Sequence, residues 1–242
     1  MRKFLIQKEK DYLFDFCNQT IEAIDYLNWF NQEILYDYEI ISINSLKDDS
    51  NYEFKNYIPV GSIEFVLEYY NKYHNIDNIK PICIPNELNK EKYLLRKIRK
   101  GSKANDLNLQ NPVFIKNISA FKKETMIDYI KYDFKNDDFL ISEIIDIKSE
   151  WRGFVLNGTL LDLRCYSGEF SAFPNVNSIY NMIKAYTEAP RAYTIDVAVT
   201  EKGTALIEIH QFFSCGLYGF NQNQKLIAMF VQNHVDIIKN RS

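Results

Sequence analysis

The sequence predicts an α+β fold in which a small α/β unit, residues 1–85, precedes a larger and mostly antiparallel unit, residues 86–242. Three observations lead there. In the first third, β-rich runs alternate with stretches of helical period, the pattern of a partly parallel sheet covered by helices. From Pro112 onward β-rich runs follow one another with turn signals between them, Asn157-Gly158 being the strongest. Between the two, residues 81–111 change in composition, with Pro81 and Pro85 ahead of a run of lysines and arginines.

Taken in order, residues 4–6 are a short strand, and Thr20 caps a helix carried by Ile21, Ile24, Leu27, Trp29 and Ile34. Residues 39–43 read as strand and 44–53 as polar loop. Pro59-Val60-Gly61-Ser62 then reads as strand end, turn and cap for an amphipathic helix over 63–73. The charged stretch 90–103 is a solvated helix face with i,i+4 pairing, or alternatively a helix lending a lysine to phosphates. Val113-Phe114-Ile115-Lys116 is a strand ending in a lysine, and residues 139–145 and 151–156 are two more, the second pairing with 159–166. Residues 178–187 are helical in period, 193–199 and 204–209 form a hairpin around Glu201-Lys202-Gly203, and 224–238 close the chain as an amphipathic helix.

Composition narrows the partners. A chain of 242 residues with 46% hydrophobic and 15% aromatic content can bury a sizeable core. A net charge of −3 supplies no basic field, which speaks against nucleic acid. Cys17, Cys83, Cys165 and Cys215 lie far apart with no zinc spacing, as expected of reduced thiols in a cytoplasmic protein. No apolar run approaches the roughly 20 residues that cross a bilayer, so no membrane partner is expected. Nothing in the sequence sets the oligomeric state.

The chemistry concentrates in the second half, where ionisable residues interrupt apolar strands: Glu143, Glu150-Trp151-Arg152, Asp162-Leu163-Arg164, Asp196 and Glu208. Such groups are costly to bury without a partner, a metal or a ligand. Asp196 and Glu208 lie on the two strands of one hairpin and converge as two hard oxygen ligands for Mg²⁺, or else serve as partners of a buried arginine. Arg152 and Arg164 sit nearly opposite each other across the Asn157-Gly158 hairpin. Two guanidinium groups side by side repel unless an anion lies over them, or unless Glu150 and Asp162 neutralise them locally. Lys116, followed by Lys122 and Lys123 in a short loop, can clasp phosphates. Gly216-Leu217-Tyr218-Gly219 lacks the features of a phosphate loop and reads as a tight turn.

This order of parts resembles the ATP-grasp superfamily, and within it the phage- and bacteria-associated clade named for two arginines and a lysine. The resemblance covers residues 112–230, and Pro59-Val60-Gly61-Ser62 is similar to the family's N-terminal part. It implies two α+β lobes holding ATP between them, behind a small N-terminal α/β domain. The naming arginines match Arg152 and Arg164, and the naming lysine matches Lys116 or Lys184. Lys116, with Lys122 and Lys123, would contact phosphates. The backbone of Glu143-Ile144-Ile145 would meet adenine, and Asp146 the ribose. Asp196 and Glu208 would hold Mg²⁺, with His210 in the place where the superfamily usually has Asn. Imidazole suits hard Mg²⁺ poorly, so His210 either turns elsewhere as a hydrogen-bonded structural residue or favours Mn²⁺. Tyr218 would help shape the substrate pocket. The activity implied is ATP-dependent ligation of a carboxylate to an amine through an acyl phosphate, on small molecules or on a peptide or protein terminus. The other reading is a binding module that keeps the fold and holds ATP or another anion without turnover.

Overall fold

The computed structural model describes residues 1–10, 12–101, 113–118, 121, 125–128, 138–213 and 215–239. Its first sheet is parallel and is built around β1 (Arg2–Gln7). The chain leaves β1 through α1 (Asp15–Asn31), returns as β2 (Tyr36–Ile41), passes α2 (Ile43–Asp48), and adds β3 (Tyr57–Val60) on the other side of β1 before α3 (Ile63–His74). Side chains alternate across β1 as a strand requires. Phe4 and Ile6 join Ile58 and Val60 in a core with α1, and Leu5 joins Phe65, Tyr69 and Tyr70 of α3 on the opposite face.

Local chemistry explains the boundaries. Ser62 caps α3 by accepting from the Phe65 backbone N–H at 3.2 Å. Gly61 before it has no room for a side chain: a Cβ there would lie 2.6 Å from the Phe65 ring and 2.7 Å from Gln7. Thr20 does not cap α1. The helix begins at Asp15, and the Thr20 hydroxyl donates back to the Phe16 carbonyl at 2.6 Å inside it. Helical period placed Trp29 and Ile34 with the core, but both face solvent, 74% and 68% exposed. The expected loop over 44–53 contains α2, capped by Ser42.

Residues 86–88 form one turn of 3₁₀-helix and are followed by α4 (Glu91–Leu94). The charged stretch then runs into β4 (Ile98–Gly101), so it is largely not the solvated helix its composition suggested. β4, β5 (Val113–Asn117), β6 (Thr125–Asp128) and β7 (Phe139–Glu143) make an antiparallel sheet in the order β4-β7-β5-β6.

The larger antiparallel sheet holds β8 (Ser149–Leu156), β9 (Thr159–Gly168), β10 (Ala192–Thr200) and β11 (Gly203–Gln211), in the order β11-β10-β8-β9. Asn157 and Gly158 both take positive φ, 50° and 73°, as the tight β8–β9 turn demands. One face of this sheet is apolar. Trp151, Val155, Ile195, Val197, Leu206 and Ile209 pack there against Ile179, Met182 and Ile183 of α5 (Val176–Ala185).

The other face is divided. At one end Phe154, Leu156 and Ala192 share a single core with Phe4, Ile24 and Ile58 of the first sheet and its helix, and with Met229 and Phe230 of α6 (Asn223–Lys239). At the other end the face carries charge. The apolar core thus runs across the division at residue 85 that the sequence suggests. Among the described residues no helix is long and apolar enough to cross a membrane. All four cysteines are free thiols, and Cys17, Cys83 and Cys215 are buried.

Candidate active site

Residues directly opposite each other in an antiparallel ladder share a face. Arg164 on β9 pairs with Arg152 on β8, Arg152 pairs with Asp196 on β10, and Asp196 pairs with Glu208 on β11. The four therefore form one row across the whole sheet, on the face that α5 leaves open. A bulge after Asp196, where Val197 pairs with Leu206, leaves Ile207 as the extra residue and keeps Asp196 opposite Glu208.

The row is held by charge. Arg152 and Asp196 are 8% and 4% exposed and form a two-pronged pair, Nε to Oδ1 at 2.9 Å and Nη2 to Oδ2 at 2.7 Å. Burial disfavours both charges, but their mutual bonding outweighs it, holding the Asp196 carboxyl below its usual range and the Arg152 guanidinium above its own. Arg164 pairs with Asp162 on its own strand at 2.6 Å.

Lys116 comes from β5 of the other sheet and forms an ion pair with Glu208. Its strand position, opposite Leu140 of β7, aims it across the gap between the sheets. The Glu208 carboxyl is held below its usual range: burial opposes this, while His210 and Lys116 outweigh it.

His210, two residues on along the same face, places Nε2 3.2 Å from Glu208 and 3.4 Å from Asp196. Carboxylates only accept, so Nε2 carries the hydrogen in this arrangement and is not free to bind a metal. In this arrangement His210 bridges the two carboxylates, the hydrogen-bonded role that was one of the readings its sequence position allowed. Its pKa is raised, the two carboxylates prevailing over burial. Among the described residues no group of three His, Cys, Asp or Glu side chains has the geometry of a metal site. Asp196 and Glu208 remain a facing pair of hard oxygen donors, which suits Mg²⁺ when phosphate oxygens complete its shell.

The turn after β11 closes over the arginines. Arg152 Nη1 donates to the Gly216 carbonyl at 3.2 Å, and the Arg152 guanidinium lies 5.2 Å from the Tyr218 ring and 5.7 Å from that of Tyr166. The two rings stack at 5.2 Å. Tyr218 sits in the left-handed region at φ 49°, and a Cβ on Gly216 would meet its ring at 3.0 Å. The glycines of this turn thus let a tyrosine fold back onto the site. Tyr166 escaped the sequence reading, although its position two residues beyond Arg164 on one strand was a usable signal.

Other candidates lie elsewhere. Residues Ile144, Ile145 and Asp146, just past β7, line a pocket of about 220 Å³ with Leu95 and the Thr200, Glu201 and Lys202 turn. Glu143 accepts from the Lys97 backbone N–H at 2.9 Å. Lys184 is not brought to the row: it is exposed on α5, which covers the opposite face of the sheet. Lys122 and Lys123 lie outside the described residues.

Arg96 carried no signal in the sequence. It is buried, donates to Ser142 Oγ at 2.8 Å and to the carbonyls of Leu94 and Leu206 at 3.0 and 2.8 Å, and burial lowers its pKa to about 10. These bonds tie β7 to β11 where the two sheets meet.

Comparison with known structures places this geometry in a family of folds. The D-alanine–D-alanine ligase of Bacillus anthracis aligns over 100% of both chains with a TM-score of 0.54 at 13% identity. A RimK-domain ATP-grasp protein of Sphaerobacter thermophilus aligns over 99% of this chain and 100% of its own, with a TM-score of 0.55 at 11% identity. The N5-carboxyaminoimidazole synthetase of Staphylococcus aureus aligns over 100% of this chain and 78% of its own, with a TM-score of 0.57 at 10% identity. At these identities the likeness shows the fold, which is ATP-grasp. No curated protein sequence matches the chain closely enough to count as a relative. The family described as the ATP-grasp domain, R2K clade family 2, matches residues 93–228, more than half of the sequence, and to that family the chain belongs.

Proposed function

We propose that this protein is an ATP-dependent carboxylate–amine ligase that works through an acyl phosphate. The observation that carries the reading is the in-register row Arg164, Arg152, Asp196 and Glu208, faced by Lys116 from the other sheet. So many charges gathered on one open face around a buried Arg152–Asp196 pair have little value to a scaffold, and they suit a polyphosphate and a charge that moves during reaction.

The roles follow from position. Nucleotide enters between the two sheets, with its base at the Ile144–Asp146 pocket and its phosphates toward Lys116. Lys116 would then exchange Glu208 for phosphate oxygen, and Asp196 and Glu208 would be the residues to hold a divalent cation, Mg²⁺ or Mn²⁺. That cation, when bound, neutralises phosphate charge and orients the transferring phosphoryl group. Arg152, fixed by Asp196 and the Gly216 carbonyl, presents its remaining charge beside the carboxylate under attack. Arg164 is partly exposed and exchanges Asp162 for substrate. The carboxylate oxygen attacks the γ-phosphorus and ADP leaves. An amine in its neutral form then attacks the acyl carbon, the C–O bond to phosphate breaks, and phosphate leaves while the nitrogen gives up a proton to phosphate or solvent. Among the aligned folds, the ATP-grasp ligase PsnB was solved with a precursor peptide and another is a D-alanine–D-alanine ligase, which supports screening peptides and small molecules alike.

A binding module without turnover is the second reading, favoured by His210, which occupies the space between the two carboxylates. Thermal unfolding with ATP and Mg²⁺ or Mn²⁺ tests the site. Nucleotide at about a hundred times its dissociation constant adds roughly 2.7 kcal/mol and raises the midpoint by several degrees. The expected result is a metal-dependent shift in the wild type that an Asp196→Asn/Glu208→Gln double variant loses, followed by ADP release with some acid–amine pair. A shift without ADP release from any pair favours the module, and no shift in a folded protein sinks the ligase reading and leaves only a module for some other anion.

A further inference from the structure

Helical period places Leu226, Phe230, Asn233 and Ile237 along one stripe of α6. Three of the four are apolar, and Asn233 interrupts them. It is only 3% exposed, and among the described residues its side-chain amide makes no hydrogen bond. A buried amide without partners is unfavourable, and Asn is a poor residue for a helix interior. Leucine would fill nearly the same space without either penalty, so an amide at this position calls for a role.

That amide borders a cavity. Asn233 lines a space of about 330 Å³ bounded by the C-terminal part of α6, the end of β11 and the loop after α5. Clefts that take small organic ligands begin at about this size. Its apolar walls come from Ile82, Tyr186, Pro190 and Ile237. Gln211 brings a second amide: Nε2 donates to the Lys80 carbonyl at 3.1 Å, while Oε1 is buried and has no donor.

The charges around the cavity are already spent or lie in solvent. Asp236 accepts from Arg191 Nε and from the Arg191 backbone N–H, both at 2.7 Å, and Glu188 is exposed at the rim. None of the Arg164–Arg152–Asp196–Glu208 row borders the space. Gln211 follows His210 on β11 and so points to the opposite side of the sheet.

The groups left unmatched are thus two amide oxygens, of Asn233 and Gln211, and the N–H donors of Asn233. Their complement donates two hydrogen bonds and accepts one, which describes a primary carboxamide. A carboxylate has no donor, and an ammonium has no acceptor. We infer that this cavity is a binding site, separate from the nucleotide row, for a small uncharged molecule carrying a primary carboxamide on a flat, apolar ring. The inference stands independently of the ligase reading.

The test uses the full chain and nicotinamide as the probe, with 3-acetylpyridine, which keeps the ring and carbonyl but lacks the N–H donors. Binding is followed by ligand-observed NMR, with and without AMPPNP and Mg²⁺. Nicotinamide is expected to bind the wild type and to remain bound when AMPPNP is added. 3-Acetylpyridine is expected to bind roughly tenfold or more weakly, and nicotinamide to lose as much on Asn233→Leu. Asn233→Leu is also expected to raise the thermal midpoint of the free protein, since it removes an unpartnered amide. Ala189→Trp, a change in the loop at the cavity wall, is expected to block nicotinamide while leaving the midpoint unchanged. It decides the matter if Asn233→Leu does not fold. Undiminished binding to either folded variant, displacement of nicotinamide by AMPPNP, or absence of binding to the wild type overturns the inference.

Discussion

At the scale of single residues, buried charge dictates the behaviour of the site. Replacing Asp196 by Asn leaves Arg152 buried with a neutral partner, and breaking a buried pair in this way costs about 3–5 kcal/mol. Urea unfolding at neutral pH is expected to show that loss. The pair's contribution is fully present above the ordinary carboxylate value of 3.8 and is lost as pH falls, since Asp196 ionises more readily in the folded state.

A second titration sits far from the site. His234 packs with Tyr69, Tyr70 and His74, and its Nδ1 lies 3.0 Å from the Tyr70 hydroxyl. Burial, and then the His74 charge, lower its pKa from 6.5 to about 4. Between those values the unfolded state binds more protons than the folded one, so stability falls as pH drops, by roughly 3 kcal/mol in all. His234→Gln is expected to lose roughly 2 kcal/mol less than the wild type between pH 7 and 4.5, read by urea titration at both. An equal loss in the two proteins would assign the acid sensitivity to carboxylates alone.

At the scale of elements, turns decide where the side chains of the row point. Gly168 ends β9 at φ +79°, and a Cβ there would lie 2.3 Å from the Lys148 carbonyl oxygen, which is backbone and cannot step aside. Gly168→Ala is expected to cost at least about 2 kcal/mol in denaturant unfolding. Gly216→Ala acts differently, because the atom it meets belongs to the Tyr218 ring. That ring must give by a few tenths of an ångström, so the expected outcome is a changed near-ultraviolet tyrosine signal with a loss of stability below about 1 kcal/mol. The bulge after Asp196 does comparable work within the sheet, since a slip by one residue would turn Glu208 from the open face to the face under α5.

At the scale of the whole molecule, one apolar core joins the first sheet, α1, α6 and one end of the β8–β11 sheet. Residues 86–242 alone would expose Phe154, Phe212, Phe220 and Met229, which are fully buried in the intact chain. That fragment is expected to lack a cooperative unfolding transition, whereas the full chain unfolds these parts together when followed by both circular dichroism and fluorescence. Two resolved transitions in the full chain, or a stable fragment, would contradict the shared core. The charged end of the same sheet face is left open to the β4–β7 sheet, so packing and chemistry divide one surface between them.

The sequence by itself determined the local order: the alternating first unit, the Asn157-Gly158 hairpin, the Ser62 cap, and the pairing of Asp196 with Glu208 around Glu201-Lys202-Gly203. Each of these rests on neighbours within a few residues, where period and turn chemistry act directly. Only the tertiary structure decided which charges meet. Arg152 and Asp196 are 44 residues apart, Lys116 reaches Glu208 from another sheet, and Arg96 joins segments 46 and 110 residues away. It also set Lys184 behind the sheet and Trp29 in solvent, although both fit a helical period. Period says that a residue has a face. Which face meets a partner depends on the elements that pack beside it, and those come from distant parts of the chain.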